Sequence, residues 1–172
     1  MNKRTWIVVV CLVVCVGIGA LWYFATQKAN TVNIEPRTSY QVTEVMDGDT
    51  IRVKVNRRVI TVRLLGINTP ETVDPRRGVE CFGPEASKHT KELLSNQSIF
   101  LVLNPKREVL DKYGRYLAYV YREDGLFINE KLLTEGYARE YTYGKPYSFQ
   151  KEFKSLEKKT KAAKKGLWGM CT

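Results

Sequence analysis

The residues that could do chemistry in this 172-residue chain lie in three short stretches. These read DGDT at residues 47–50, RLLGINTPET at 63–72 and DKYGRYLAYVY at 111–121. They offer two aspartates at a tight turn, an arginine and a glutamate on either side of an Asn-Thr-Pro turn, and a second arginine before a strand. Carboxylates can bind hard cations and move protons, and arginine can pair with anionic oxygens. Any one stretch alone also fits an ordinary charged turn.

Two kinds of catalytic site are excluded by what the chain lacks. His89 is the single histidine, and its place beside lysines in a predicted helix favours an exposed surface residue. Triads that depend on histidine and histidine metal centres are therefore excluded, and two cysteines outside the apolar N-terminal segment cannot form a zinc site alone. Catalysis would have to come from carboxylates, arginines, tyrosines and a hard metal ion.

The charge of the chain favours a polyanionic partner. Lysine and arginine total 28 against 18 aspartates and glutamates, for a net charge of +10. From Asn30 onward, without Lys3, Arg4 and Lys28, 25 basic residues face all 18 acidic ones, a net charge of about +7. A generally basic surface, or attraction to anionic lipid, is the alternative explanation.

The N-terminal segment has the length and composition of a membrane anchor. Residues 6–25 carry no charge, and twenty helical residues cover a hydrocarbon core of about 30 Å. The basic flank at residues 1–5 predicts a cytoplasmic N-terminus and an exported C-terminal domain. A cleaved signal peptide, which would release the domain, is the competing interpretation. Lipoprotein processing is disfavoured because valine precedes both Cys11 and Cys15.

The rest of the chain predicts a linker and an α+β domain. Residues 26–39 are mostly polar and form the linker, residues 40–169 form the domain, and residues 170–172 form a tail. Alternation and turn residues predict strands at Tyr40–Val45, Thr50–Val55, Val59–Leu65, Ile99–Leu103 and Tyr116–Tyr121. Helical spacing predicts helices that begin at Gly83-Pro84, near Ile128 and at Phe149, the last with Ser148 as N-cap. An even cysteine count in an exported domain predicts a Cys81–Cys171 disulfide.

Taken together, the motifs resemble one known family. DGDT, RLLGINTPET, GPEAS at residues 83–87 and DKYGR, in this order and spacing, closely resemble the staphylococcal nucleases, from about Tyr40 to Trp168. The resemblance implies a five-stranded OB-type β-barrel with three helices. It also implies a calcium-dependent enzyme that hydrolyses DNA and RNA with little sequence specificity and leaves 3′-phosphates. A monomeric catalytic domain with no obligate protein partner is expected.

The resemblance also assigns roles to individual positions. Arg63 and Arg115 correspond to the two phosphate-binding arginines of the family, and Glu71 to its proposed general base. Asp49 and the Thr69 carbonyl correspond to direct calcium ligands, and Asp47 to the outer shell. Four further positions correspond to the rim of the nucleotide pocket: Lys112, Tyr113, Tyr141 and Tyr143.

Residue 68 departs from the family pattern. Asn68 stands where the family has an aspartate ligand, so calcium is expected to bind there through an amide oxygen and less tightly. The alternative is that Asn68 only caps the turn before Pro70. Arg63 and Glu71 are expected to neutralise each other in part in the resting site.

Two other functions are open. One is a catalytically silent OB-type module that binds nucleic acid through basic and stacking contacts, and the other is a basic envelope protein that binds anionic polymers. Retention of Arg63, Glu71 and Arg115 favours the enzyme over both. The localisation expected is a single-pass membrane protein with its domain outside, or a secreted one after cleavage.

Overall fold

The computed structural model describes residues 15–16, 31–72 and 78–171. Contacts divide the chain into two units, Met1–Asn33 and Ile34–Thr172, and the fold below is that of the second. Apart from Cys15 and Val16, the predicted anchor at residues 6–25 lies outside the described residues. Within the described ranges, no helix combines the length and apolar character needed to cross a membrane.

Five strands form a closed barrel. They are β1 (Ser39–Asp47), β2 (Thr50–Val55), β3 (Arg58–Leu64), β5 (Ser98–Leu103) and β6 (Tyr116–Arg122). The order around the barrel is β1-β2-β3-β6-β5, with β3 and β6 parallel and the other described pairs antiparallel. In β2 the apolar side chains are buried and Arg52 and Lys54 are exposed, as period-two alternation requires. The predicted five-stranded barrel is confirmed.

The hairpin between β2 and β3 sets the position of one arginine. Its two-residue turn is Asn56-Arg57, as predicted, and Asn56 adopts a positive φ of 55°, which asparagine tolerates better than most residues. The register that follows pairs Val55 with Arg58 and Thr50 with Arg63. Arg63 therefore lies across from the residue that follows Asp49.

The three predicted helices are present as α1 (Gly83–Leu94), α2 (Ile128–Thr134) and α3 (Gln150–Ala162). The predicted Ser148 cap is wrong, because the N-cap of α3 is Phe149 and makes no side-chain cap bond. The Ser148 hydroxyl instead donates to Asn104 Oδ1, 3.2 Å away. Three short elements were not predicted: β4 (Ile67–Asn68), which pairs with β7 (Arg139–Glu140), and α4 (Leu167–Met170).

The compact unit begins before β1, and a disulfide links its C-terminal end to the segment before α1. Ile34, inside the segment predicted as linker, is buried with 7 % exposure. A disulfide joins Cys81 to Cys171, with Cα atoms 5.9 Å apart, and so attaches the segment before α1 to the end of α4. This pairing agrees with the one expected from cysteine number and compartment.

His89 differs from its predicted place on the exposed surface. Its side chain is 18 % exposed, and Nε2 lies 2.7 Å from Glu135 Oε2. The ring stacks on Tyr137, with the two centroids 4.0 Å apart. His89 therefore connects α1 to Glu135, the residue that follows α2.

Candidate active site

One cavity of about 520 Å³ brings the predicted site residues together. Its lining includes all eleven positions to which the sequence assigned a catalytic, metal-binding or substrate-binding role. They are Asp47, Asp49, Arg63, Asn68, Thr69, Glu71, Lys112, Tyr113, Arg115, Tyr141 and Tyr143. Residues more than 90 positions apart in the chain thus share one concave surface.

The turn between β1 and β2 places the two aspartates. The Thr90 hydroxyl of α1 donates to the Gly48 carbonyl over 2.7 Å. On its other side, a Cβ added at Gly48 would lie 2.7 Å from Thr69 Oγ1, which is too close for any larger residue. Gly48 is therefore required by close packing, and the turn is fixed between α1 and the segment that carries Thr69.

Asp49, just before β2, contacts two residues of the 63–72 stretch. Its Oδ2 accepts from the backbone N–H of Thr69 at 2.8 Å and lies 3.0 Å from Arg63 Nη2. The Asp49 side chain is 7 % exposed and that of Arg63 is 11 % exposed. A charged pair this deeply buried needs further hydrogen bonds to be stable.

Arg63 donates those further hydrogen bonds to oxygens one to five residues further along the chain. Nη1 donates to the carbonyls of Leu64 and Ile67 at 3.2 and 3.0 Å, and Nη2 donates to Asn68 Oδ1 at 2.9 Å. The carboxylate that pairs with Arg63 in the structure is Asp49, whereas the sequence suggested Glu71. The guanidinium is a fixed positive charge in the wall of the cavity.

Asn68 lies between the arginine and the backbone oxygen expected to bind metal. Its Oδ1 accepts from Arg63, and its Nδ2 donates to the Thr69 carbonyl at 3.1 Å. An aspartate here would keep an acceptor for Arg63 but would lose the donor to Thr69. The side chain thus has a contact on each side that a simple turn cap would not need.

The oxygen donors around Asn68 suit a hard cation. Among the described residues, no three carboxylate, imidazole or thiol side chains converge into a metal-binding group, so a site here must also use neutral oxygens. The Asp49 carboxylate, the Asn68 amide oxygen and the Thr69 carbonyl line the same cavity. Each already accepts a hydrogen bond, but carbonyl and carboxylate oxygens keep further lone pairs. This donor set fits calcium, which takes carboxylate, amide and backbone oxygens.

Asp47 is buried and lies close to two other carboxylates. Burial raises the pKa of the Asp47 carboxyl, and the charges of Asp49 and Glu71 raise it further, while a hydrogen bond from Thr72 opposes the rise. That bond joins Thr72 Oγ1 to Asp47 Oδ1 over 2.7 Å. Burial is the larger cause of the raised pKa, and the smaller contributions of Asp49 and Glu71 show that two further carboxylates lie close by, which favours a cation there.

Glu71 faces the cavity from the segment after β4. Its Oε1 accepts from the backbone N–H of Thr72 at 2.9 Å, and its charge contributes to the raised pKa of Asp47. The carboxylate is thus close to the acidic side of the cavity and partly exposed. A carboxylate with this access can accept a proton from a bound water molecule.

The loop before β6 places the second arginine. Asp111 Oδ1 accepts from the backbone N–H groups of Tyr113 and Arg115, each at 2.9 Å, and Oδ2 accepts from Arg115 Nε at 2.7 Å. The Tyr113 ring is 69 % exposed, with Lys112 Nζ and Arg115 Cζ at 4.9 and 5.3 Å from its centroid. One aspartate therefore organises the loop that presents two cations and an aromatic ring.

Two further aromatic rings line the same cavity. Tyr141 and Tyr143 are 45 % and 57 % exposed, and their ring centroids are 6.4 Å apart with planes inclined by 21°. Exposed, nearly parallel aromatic rings beside fixed cations are typical of surfaces on which nucleic-acid bases stack.

Known proteins resemble this chain over most of its length. The family model described as "Staphylococcal nuclease homologue" matches residues 61–170. The chain belongs to the staphylococcal nuclease family. It is 35 % identical over 162 residues to a protein named thermonuclease from Staphylococcus hyicus, with 94 % of each chain covered. It is 40 % identical over 130 residues to a thermonuclease from Staphylococcus intermedius (76 % of each chain). It is 39 % identical over 146 residues to endonuclease YncB from Bacillus subtilis strain 168 (83 % of this chain and 68 % of that protein).

In this staphylococcal nuclease homologue, Arg107 is a cavity residue to which the sequence analysis assigned no role. Arg107 lines the cavity, and its Nη1 donates to the Tyr143 carbonyl at 2.6 Å and to the Lys145 carbonyl. Beside it, Lys145 Nζ lies 2.5 Å from Glu108 Oε1. These contacts fix the tyrosine segment to the loop before β6. They join residues 36 to 38 positions apart, and no local pattern around Arg107 could have indicated them.

Proposed function

We propose that this protein is an exported, calcium-dependent nuclease that hydrolyses DNA and RNA with little sequence preference and leaves 3′-phosphates. The observation that carries the proposal is the convergence of eleven predicted positions on one cavity in a chain of the staphylococcal nuclease family. Relatives at 35–40 % identity are named thermonuclease and endonuclease. The basic charge of the chain suits a polyanionic substrate.

The two arginines are proposed to bind the phosphodiester group. Attack on this group adds negative charge to its equatorial oxygens, so cations that are fixed in advance lower the barrier. Arg63 is already held by Asp49 and backbone carbonyls, and Arg115 by Asp111. A guanidinium can offer two donors to phosphate oxygens, which a lysine ammonium cannot do with the same geometry.

Glu71 is proposed to take the proton from the attacking water. The water oxygen forms a bond to phosphorus, the bond to the 5′ oxygen breaks, and that oxygen takes a proton from solvent as it leaves. Asp49, Asn68 and the Thr69 carbonyl would hold calcium, with Asp47 in the outer shell. A calcium ion there supplies Lewis-acid polarisation of the phosphoryl group. Lys112, Tyr113, Tyr141 and Tyr143 are proposed to hold the neighbouring nucleotides.

Incubation of the purified full-length protein with plasmid DNA tests this function. Cleavage with calcium and no cleavage with a chelator is the expected result. Binding without cleavage under both conditions would identify a catalytically silent nucleic-acid-binding module instead. Neither binding nor cleavage would favour a basic protein of the cell envelope. End-group analysis of the products reports whether the 3′ end keeps the phosphate.

We further propose that residues 6–25 anchor the protein in the membrane with its catalytic domain outside. The uncharged run and the preceding Lys3 and Arg4 support this. Mass spectrometry of the mature protein from its own cells tests it, since an anchored chain keeps its N-terminal residues in the membrane fraction. A shortened chain in the medium would show that the segment is a cleaved signal peptide.

A further inference from the structure

Two hydrogen bonds join Glu71 to Glu80 and hold the segment that carries Glu71. The backbone N–H of Glu80 donates to the Glu71 carbonyl at 2.9 Å. In the opposite direction, the backbone N–H of Glu71 donates to Glu80 Oε2 at 3.1 Å. Both main-chain polar groups of Glu71 therefore bond to one residue, and one of these bonds depends on the Glu80 carboxylate.

Glu80 is itself fixed from its C-terminal side. Cys81, the next residue, is joined to Cys171. Two residues on, α1 begins at Gly83 and packs directly on the same segment. A Cβ added at Gly83 would lie 2.8 Å from the Glu71 carbonyl oxygen and 2.8 Å from Thr72 Cγ2. The disulfide, the helix start and Glu80 thus form one support behind the segment of Glu71 and Thr72.

We propose that Glu80 is a positioning residue that sets the place of Glu71 in the cavity through its carboxylate bond to the Glu71 backbone N–H. This inference rests on the proposed function, in which Glu71 is the general base. Thr72, adjacent to Glu71, donates to Asp47 as well as to Glu71 itself. A shift of the Glu71 backbone would therefore move the proposed base and its hydrogen bonds together. A displacement of about 1 Å at a reacting group can cost roughly 100-fold in rate.

Substitutions at Glu80 separate an acceptor role from a charge role. Glu80→Gln keeps an oxygen acceptor for the Glu71 N–H but removes the charge, and Glu80→Ala removes both. Glu92→Ala, which removes an exposed carboxylate on α1 and away from Glu71, is the control. We expect kcat in Glu80→Ala to fall about 10- to 100-fold with KM little changed. Glu80→Gln should recover most of the rate, and the control should match the wild type.

Amide hydrogen exchange gives a readout that does not depend on activity. The Glu71 N–H of the full-length protein, followed by NMR, should exchange roughly fivefold faster in Glu80→Ala, the effect of losing one hydrogen bond. It should stay protected in Glu80→Gln. Gly83→Ala pushes on the same segment without a charge change and should lower kcat as well. This variant also serves if Glu80→Ala does not fold.

The outcomes distinguish this inference from the proposed function. Absence of cleavage by the wild type would overturn both. Wild-type cleavage with an unchanged kcat in Glu80→Ala and Gly83→Ala would overturn the role of Glu80 alone. Equal losses of kcat in Glu80→Ala and Glu80→Gln would also overturn it, because charge and not positioning would then be responsible.

Discussion

Arg63 is held by four oxygen acceptors before any substrate arrives. Three carbonyl or amide oxygens and the Asp49 carboxylate accept from its guanidinium. The cost of ordering this long side chain is therefore paid during folding, and the positive charge is ready where negative charge develops in phosphodiester hydrolysis. Asn68 contributes one of these acceptors, so the departure from the family pattern at this position affects Arg63 as well as the proposed calcium site.

Asn68→Asp should tighten calcium binding without abolishing cleavage. The substitution adds one negative charge to the donor set, and it removes the Nδ2 donor that occupies the Thr69 carbonyl in the structure. Both changes favour a cation, and ligand charge is one determinant of calcium affinity. With the wild type, calcium dissociation in the range of about 10⁻⁴ to 10⁻³ M is expected. Isothermal titration calorimetry of both forms measures the difference.

The control for this prediction is Asn56→Asp, which adds the same charge at the exposed turn of the β2–β3 hairpin. It should leave calcium affinity unchanged. Equal affinities in the wild type and Asn68→Asp would remove residue 68 from the metal shell and leave it as a partner of Arg63 only.

The identities of the cavity residues could be predicted from the sequence, but their pairing could not. The three motifs contain the proposed catalytic and metal-binding residues, whereas Tyr141 and Tyr143 lie outside them. The carboxylate partner of Arg63 depends on the register of β2 and β3, which places Thr50 opposite Arg63. Asp49 is therefore the partner, whereas the sequence suggested Glu71. Arg107 was missed because its contacts join two loops without any regular pattern.

The loop before β6 depends on Asp111 more than on any other side chain. Asp111→Ala should lower kcat/KM about 100-fold, because Arg115 loses its partner and the two backbone N–H groups lose their acceptor. Asp111→Asn keeps the Oδ1 acceptor and should lose less. Kinetics on a defined oligonucleotide measure both. Asp124→Ala, which removes a similar partner from Arg122 outside the cavity, is the control, and an effect as large as that of Asp111→Ala would contradict the account.

Tyr147 lines the cavity, and its ring centroid lies 5.8 Å from that of Phe153 in α3. Its ionisation should make stability sensitive to alkaline pH. Burial raises its pKa above the usual value, and a hydrogen bond to Glu140 raises it further. Above about pH 10 the unfolded chain releases this proton while the folded chain keeps it, so the free energy of unfolding falls as pH rises, by up to about 1.4 kcal/mol per pH unit. Below that pH the contribution is fully present.

Tyr147→Phe should therefore reduce this alkaline slope, measured by denaturant unfolding between about pH 8 and 11. At neutral pH it should cost about 1 kcal/mol for the lost hydrogen bonds to Glu140 and the Gly66 carbonyl. Tyr143→Phe, on an exposed ring, should leave the slope as it is. An unchanged slope in Tyr147→Phe would contradict the assignment.

The longer elements could be predicted from the sequence because they repeat a period several times. β2 alternates over six residues, and α1 and α3 run for 12 and 13 residues with one buried face. β4 and β7 have two residues each and α4 has four, too few for any period to appear. β4 and β7 exist because the tertiary structure brings Ile67 beside Glu140.

For the molecule as a whole, the disulfide closes most of the fold. It links residues 90 positions apart, so it restricts a long stretch of the unfolded chain. Cys81→Ser combined with Cys171→Ser should lower the free energy of unfolding by up to about 4 kcal/mol on the chain-entropy estimate. Denaturant unfolding of the oxidised wild type and the double variant gives the difference.

Thiol titration checks the pairing itself. In a Cys11→Ser, Cys15→Ser background only Cys81 and Cys171 remain, so the denatured and unreduced protein should contain no free thiol. Two free thiols would contradict the disulfide, and would also remove it from the support described behind Glu71.

The central claim is that the cavity of Arg63, Glu71 and Arg115 hydrolyses phosphodiester bonds. The measurement that tests it most directly is the turnover of Glu71→Gln, Arg63→Ala and Arg115→Ala on one oligonucleotide with calcium in excess, each variant first shown to unfold cooperatively like the wild type. Glu71→Gln should lose about 10²- to 10⁴-fold in kcat and each arginine variant about 10²- to 10³-fold. Wild-type turnover in all three folded variants would contradict the account.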